Sequence, residues 1–359
     1  MKVPADTSPA DVPPEDAPQG DRDPAAAAPG GPSALHVALG ELREQLSGWQ
    51  RHEPGARLGS DPEELHQLRV AARRIDATLG LFKHQLPERL VHARKGAKGV
   101  LRALGSTRDF DVQLAELRRY CAALPAAERA AAAPLRARLE AERARARHRM
   151  IRTLDSEATR HWLASLNLAS ADDPAARAPN APRAATVMPE RVGGRFKKLK
   201  KAVRRLNAKS SMQDYHRVRR RAKQLRYAIE CGAPLFGKSA EDVLRSLRRL
   251  QDRLGAHQDA DMAKNRLAAL ASEAPALPPE TLFFMGRLAE HHLSETAQAR
   301  KTLERSWRKV SGRRWKALRT RMQELSDAAA ALTPQDSHAA QSPAADLVPA
   351  DPQPRALRH

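Results

Sequence analysis

Aromatic side chains are scarce, at 4% of 359 residues, while Ala, Leu and Arg abound. That helix-forming bias argues against β-sandwiches and barrels. Two cysteines, Cys121 and Cys231, stand far apart with no CxxC or Cys/His spacing. They make neither a disulfide framework nor a zinc site, and they suit a reducing cytosol. No apolar run approaches the roughly 18 residues of a membrane span. The basic-then-apolar pattern of a signal peptide is also missing, so a soluble, cytoplasmic chain is expected. Neither a GxxxxGK[ST] phosphate loop nor an HExxH helix occurs.

Positive charge is what the chain has in excess: 63 Lys+Arg against 42 Asp+Glu, a net +21. Proline marks the segments expected to lack helices. Residues 1–32 hold eight of the 26 prolines, residues 167–190 four, and residues 333–359 five. Between the two tails, residues 33–332 carry 59 bases and 33 acids, a net +26. Self-repulsion of that size opposes compaction unless an anion is expected. The pattern predicts a disordered tail (1–32), a helical half (33–166), a linker (167–190), a second half (191–325) and a tail (326–359).

The two halves align at a constant offset of 150. His66-x-Leu68-Arg69-x-x-x-Arg73 matches His216-x-Val218-Arg219-x-x-x-Lys223, and Leu104-Gly105-x-x-Arg108-Asp109-x-Asp111 matches Leu254-Gly255-x-x-Gln258-Asp259-x-Asp261. Lys95 and Lys98 match Arg245 and Arg248. So many matches at one spacing indicate an internal duplication.

On a helix with His66 at zero, Leu68, Ala72, Ile75, Leu79 and Phe82 fall between about 160° and 240°. His66, Arg69 and Arg73 form a separate basic stripe at about 300–360°. The second copy repeats this, with Val218, Ala222, Leu225 and Ile229 on one side and His216, Arg219, Lys223 and Arg226 on the other. Asp61-Pro62 suits a helix start. Gly105 and Gly255 sit where a helix is expected to stop, with Asp109 and Asp259 as N-caps of the next one. Leading helices near 33–51 and 191–208, and long ones at about 125–164 and 279–309, complete two bundles. A single basic stripe is often only a solvated face. Here the bases recur in both copies and few acids lie at i±4 to neutralise them. A metal reading of the Asp109/Asp111 and Asp259/Asp261 pairs is weaker, because a hard cation wants several converging oxygens.

His66-Gln-Leu-Arg69-Val-Ala-Ala-Arg73-Arg74 and His216-Arg-Val-Arg219-Arg220-Arg-Ala-Lys223-Gln-Leu-Arg226-Tyr227 resemble the CHAD domain, the conserved histidine α-helical domain. The Leu104-Gly105…Arg108-Asp109 and Leu254-Gly255…Asp259 segments resemble its second signature, and the likeness spans about residues 33–325. It implies an all-α fold of two pseudo-symmetric four-helix bundles with a basic central channel or groove that binds inorganic polyphosphate. Carried over by motif, the anion-contacting residues are His66, Arg69, Arg73, Arg74, His216, Arg219, Arg220, Lys223, Arg226 and Tyr227. Lys95, Lys98, Arg102, Arg245 and Arg248 follow from the next helices. Asp76 stands in the slot of Arg226, where the family usually keeps a base, so a weaker grip is expected in the first half. The ExExK pattern of the triphosphate-tunnel domain that accompanies many members is missing.

The expected function is non-catalytic polyphosphate binding, on polyphosphate granules or elsewhere in the cytoplasm, with no cofactor and no membrane partner. Sequence-nonspecific nucleic-acid binding is the first alternative, although single-strand binders stack bases on aromatics and Tyr227 is the only aromatic in either basic motif. A polyphosphate hydrolase or phosphohistidine carrier is the second, disfavoured because neither His has a carboxylate or nucleophile at helical spacing on its face. A storage-granule-associated interaction protein is the third and can coexist with polyphosphate binding.

Overall fold

The computed structural model describes residues 31–167, 181–207, 209–272 and 277–331 and is all-α. These residues form twelve helices. They are α1 (Ala34–Leu58), α2 (Pro62–Leu81), α3 (Glu88–Ala122), α4 (Ala126–Ala130), α5 (Ala133–Leu154) and α6 (Glu157–Asn167). Then follow α7 (Ala184–Arg204), α8 (Met212–Cys231), α9 (Ala233–Phe236), α10 (Lys238–Ser272), α11 (Pro279–Ser311) and α12 (Arg313–Ala331).

Local side chains set several helix starts. Asp61 accepts a hydrogen bond from the Glu63 N–H at 2.8 Å, with Pro62 at the first helical position, where its missing N–H has no intrahelical role. Ser211 and Asp214 close a reciprocal capping box on α8. Gly59, at φ 75°, ends α1 in the left-handed conformation that glycine adopts without strain.

Helices α2 and α8 begin and end 150 residues apart, as do α3 and α10. The Ala34 N–H donates to the Pro182 carbonyl at 2.8 Å and the Ala184 N–H to the Pro32 carbonyl at 2.9 Å, around a Ser33–Arg183 bridge. Ser33 thus pairs with its own counterpart at the 150-residue offset, and the two flanking hydrogen bonds are equivalents of each other, the pattern a local two-fold axis produces.

In each half the leading helix packs on the second and the second on the 35-residue helix, which in turn packs on α5 and α6 in the first half and on α11 and α12 in the second. Contacts of α2 with α8 and of α1 with α7 join the halves. The expected apolar stripes are the core: Leu68, Ala72, Ile75 and Leu79 of α2, and Val218, Ala222, Leu225 and Ile229 of α8, are all 0% exposed. Trp49 meets Trp162 edge-on at 5.4 Å, and Phe196 stacks on Trp315 at 3.6 Å. A second apolar cluster ties the far ends of the halves together through Phe110, Leu114, Leu135, Leu267, Phe284 and Leu288.

Several expectations change. The long helices do not stop at Gly105 and Gly255, since α3 and α10 run through both. Neither glycine has positive φ. One interior glycine costs only about 1 kcal/mol, too little to end a helix whose flanking turns bury Leu104, Phe110, Leu254 and Ala260. Asp109 and Asp259 therefore lie within helices and cap nothing. The 125–164 segment divides into α4, α5 and α6. Helix α7 begins inside the expected linker, because Ala184, Val187 and Met188 are buried, and it continues through Pro189. Helix α12 extends past residue 325 to Ala331, with Ala329 buried. The remaining parts of the expected tails and linker, residues 1–30, 168–180 and 332–359, lie outside the described residues.

Candidate anion-binding site

The apolar stripes of α2 and α8 face the core, which leaves the basic stripes beside the seam where these helices meet. Arg69 and Arg73 of α2 share one electrostatic environment with Arg219 of α8. Burial above all, then Arg73, pushes the Arg69 guanidinium down to about 10, with Asp109 opposing and Arg219 adding to the fall. Like charges from two halves are held together at a cost that an anion would relieve.

The two glycines form the floor of the site. A Cβ on Gly255 would lie 3.4 Å from the Arg219 guanidinium, and one on Gly105 would lie 3.8 Å from Nε of Arg69. Both guanidiniums thus rest on bare helix backbone. One turn further along the same helices come Asp109 and Asp259, both half-buried. Burial raises the Asp109 carboxyl against the pull of Arg69, Arg73, Arg219 and Arg266. Burial likewise raises Asp259, against Arg219 and Lys223, and Asp109 adds to the rise across the seam. Two carboxylates thus sit among the guanidiniums as internal counter-charges.

Counter-charge does not saturate the donors. Among the described residues, the buried Nε atoms of Arg69, Arg73, Arg74 and Arg219 have no hydrogen-bond acceptor. Buried donors are nearly always paired, so four unpaired ones flanking one seam are an unmet demand for acceptor oxygens. His216 adds a directed group. Its Nδ1 lies 2.9 Å from Gln258 Oε1, which also accepts from Arg219 at 3.3 Å. An amide oxygen only accepts, so Nδ1 carries the proton and Nε2 must gain one before it can donate to an anion.

The remaining sequence-derived residues separate into groups. Arg74, Arg226 and Arg248 surround Glu230 at 3.5, 3.6 and 3.9 Å, an ion cluster linking α2 to α8 and α10. Arg226 is buried and lies 5.2 Å from the centroid of the buried Tyr227 ring. Arg245 is exposed and bonded to Asp242. Lys95, Lys98 and Arg102 are exposed on α3, within about 80° of the face carrying Gly105 and Asp109. His66 is half-buried on the α2 stripe, and Arg220 is exposed on α8. Asp76, in the slot of Arg226, accepts from Arg94 Nε at 2.9 Å, so its own half neutralises it.

The sequence alone assigns Gly105, Gly255, Asp109 and Asp259 to helix ends, and it gives Gln258, which stands in the repeated motif, no role. The available signal was the repeated Gly-x-x-x-Asp spacing, since residues four apart on a helix share a face. The paired-aspartate metal reading does not survive the helix. Residues two apart point about 200° from each other, and Asp111 turns away to meet Arg143 Nε at 2.5 Å. Among the described residues, no three His, Cys, Asp or Glu side chains gather as metal ligands. Nor is any helix there long and apolar enough to cross a membrane.

Known structures share this architecture. PptA from Streptomyces chartreusis superposes with a TM-score of 0.61 at 22% identity, covering 77% of this chain and all (100%) of its own. The CHAD domain from the plant Ricinus communis gives 0.58 at 24% identity, over 83% of this chain and 94% of its own. At such identities the likeness is one of fold. No curated protein matches the chain. The family model for the CHAD domain matches residues 40–268, a span that holds both basic stripes, both floor glycines and both half-buried aspartates, and the chain belongs to the CHAD-domain family.

Proposed function

We propose that this protein binds inorganic polyphosphate along the α2–α8 seam and does not turn it over. The observation that carries this reading is the set of buried Nε donors of Arg69, Arg73 and Arg219, contributed by both halves and lacking acceptors. Polyphosphate offers about one charge per phosphate and no bases. Its reader therefore needs cations at regular spacing and no stacking platform. Arginine forks suit phosphate oxygens, and Lys223 adds a point charge. Each phosphate entering the seam meets donors already desolvated and held apart, so little side-chain ordering remains to oppose binding. Lys98 and Arg102, on the α3 face that carries Gly105, extend the row.

No nucleophile or metal is invoked, because the chemistry needed is charge neutralisation with counterion release. Family membership supports the same ligand, and residence on polyphosphate granules follows as its cellular consequence. The test is retention of long-chain polyphosphate by the full chain and by an Arg69→Ala/Arg219→Ala variant, with released orthophosphate monitored. Tight binding by the parent, loss in the variant and no orthophosphate are expected. Steady orthophosphate release would replace this reading with a hydrolase.

A further inference from the structure

The second half carries more positive charge than the seam uses. A cavity of about 220 Å³ opens between α7 and α8, lined by Lys198 and Lys201 of α7, by Arg205 just past its end, and by Arg217, Arg221 and Asp214 of α8. It lies on a different flank of α8 from the seam. Arg217 and Arg221 project about 100–140° from His216, whereas Arg219 and Lys223 project on its other side. Five cations thus face one carboxylate. Asp214 is engaged by Ser211 in the capping box, with Arg217 3.8 Å away.

The cationic row runs on past the cavity. Arg191, Arg195, Lys198 and Arg205 follow one face of α7 over about 21 Å. Arg195 is depressed by burial first, with Arg94 of the first half, Arg191 and Arg221 adding to the fall. The row therefore begins at the junction of the halves. Among the described residues, the buried Nε of Arg191 has no acceptor, a second unmet donor outside the seam.

The repeat supplies an internal control. At the 150-residue offset, positions 191, 195, 198 and 205 correspond to Glu41, Gln45, Gly48 and Gly55, and Arg217 and Arg221 to Gln67 and Ala71. Only Lys201 keeps a basic counterpart, Arg51. Helix α1 makes the equivalent packing against α2 without the charge, so the fold does not require it.

We infer that the α7–α8 groove is a second anion-binding site, which takes a linear oligophosphate segment independently of the seam. The choice of ligand rests on the polyphosphate reading, but the existence of the site does not. A long chain held in the seam would gain a second anchor there, and the linkage would multiply affinity through effective concentration.

Calorimetric titration of the full chain with sodium tripolyphosphate, and with long-chain polyphosphate across a salt series, tests the inference. Lys198, Lys201 and Arg205 are exposed, so Lys198→Glu/Lys201→Glu/Arg205→Glu and the matching Gln triple leave the core intact. Two classes of tripolyphosphate site are expected in the parent and one in either triple variant. For the long chain, the log–log salt slope is expected to become shallower by about 2 in the Gln triple, from three lost contacts at roughly 0.7 each. The Arg69→Ala/Arg219→Ala variant should keep the groove's tripolyphosphate site. Unchanged stoichiometry and slope in both triples would overturn the inference. Duplex DNA that displaces tripolyphosphate from the groove at lower concentration than long-chain polyphosphate does would overturn the ligand class. Failure of the seam variant to lose binding would instead count against the seam, leaving the groove standing.

Discussion

Arg69 and Arg219 hold the same place in two copies of one motif, and each lies over a glycine in the following long helix. A hydrogen bond to a charged group contributes about 1.5–3 kcal/mol. Replacing either arginine by alanine should therefore weaken polyphosphate binding about tenfold or more by calorimetry. On the proposed function, Asp109 and Asp259 would compete with polyphosphate for the same guanidiniums. An Asp109→Asn/Asp259→Asn variant is expected to bind more tightly than the parent at neutral pH, and equal or weaker binding would remove their counter-charge role. Because burial raises both carboxyls, they protonate earlier on acidification than ordinary aspartates, which strips negative charge from the site. Affinity should thus begin to rise on acidification before ordinary aspartates protonate, and a flat profile would exclude these two carboxyls from the contact. His257 behaves oppositely and concerns stability. Burial first, then Arg300, whose Nε donates to it at 3.0 Å, pushes it down to about 4. Its unfolded value is higher, so the unfolded state takes up the proton first. Stability should fall between about pH 6.5 and 4, and a His257→Gln variant should lose less melting temperature over that window.

At the scale of elements, the period of the hydrophobic residues made α2 and α8 legible. Every stripe position from Leu68 to Leu79 and from Val218 to Ile229 is fully buried, and the Asp61 cap is where Asp-Pro placed it. A Leu79→Ala or Leu225→Ala change should cost about 2–5 kcal/mol through the cavity left behind, measured by denaturant unfolding. The long helices are not legible in sequence, because a glycine beyond an apolar run usually marks a left-handed stop. Here the next turns bury their own apolar residues, and the glycines serve the arginines that lie across them. Gly105→Ala leaves ordinary contact with Arg69 at 3.8 Å. It should raise stability by roughly 0.5–1 kcal/mol, and a loss of stability would mean the floor tolerates no side chain. Helix α7 starts earlier than proline content suggested, since buried Ala184, Val187 and Met188 hold its first turns to the core.

Across the whole molecule, composition made the helical class and the excess positive charge plain. It could not show which cations point together. That depends on the seam between the halves, which brings residues 150 positions apart into one electrostatic cluster, and on ion pairs such as Asp76 with Arg94 that remove individual charges from it. A net charge of +21 supports any polyanion in principle, so under the proposed function discrimination between polymers would come from the geometry of the seam. The most direct measurement is calorimetric titration of the full chain with long-chain polyphosphate beside duplex DNA at two salt concentrations, with an Arg219→Ala/Lys223→Ala variant alongside. Polyphosphate should bind more tightly than DNA, weaken steeply with salt and lose most of its affinity in the variant. Equal affinity for the two polymers, or an undiminished variant, would contradict recognition at the seam and reduce the charge to a generic attraction.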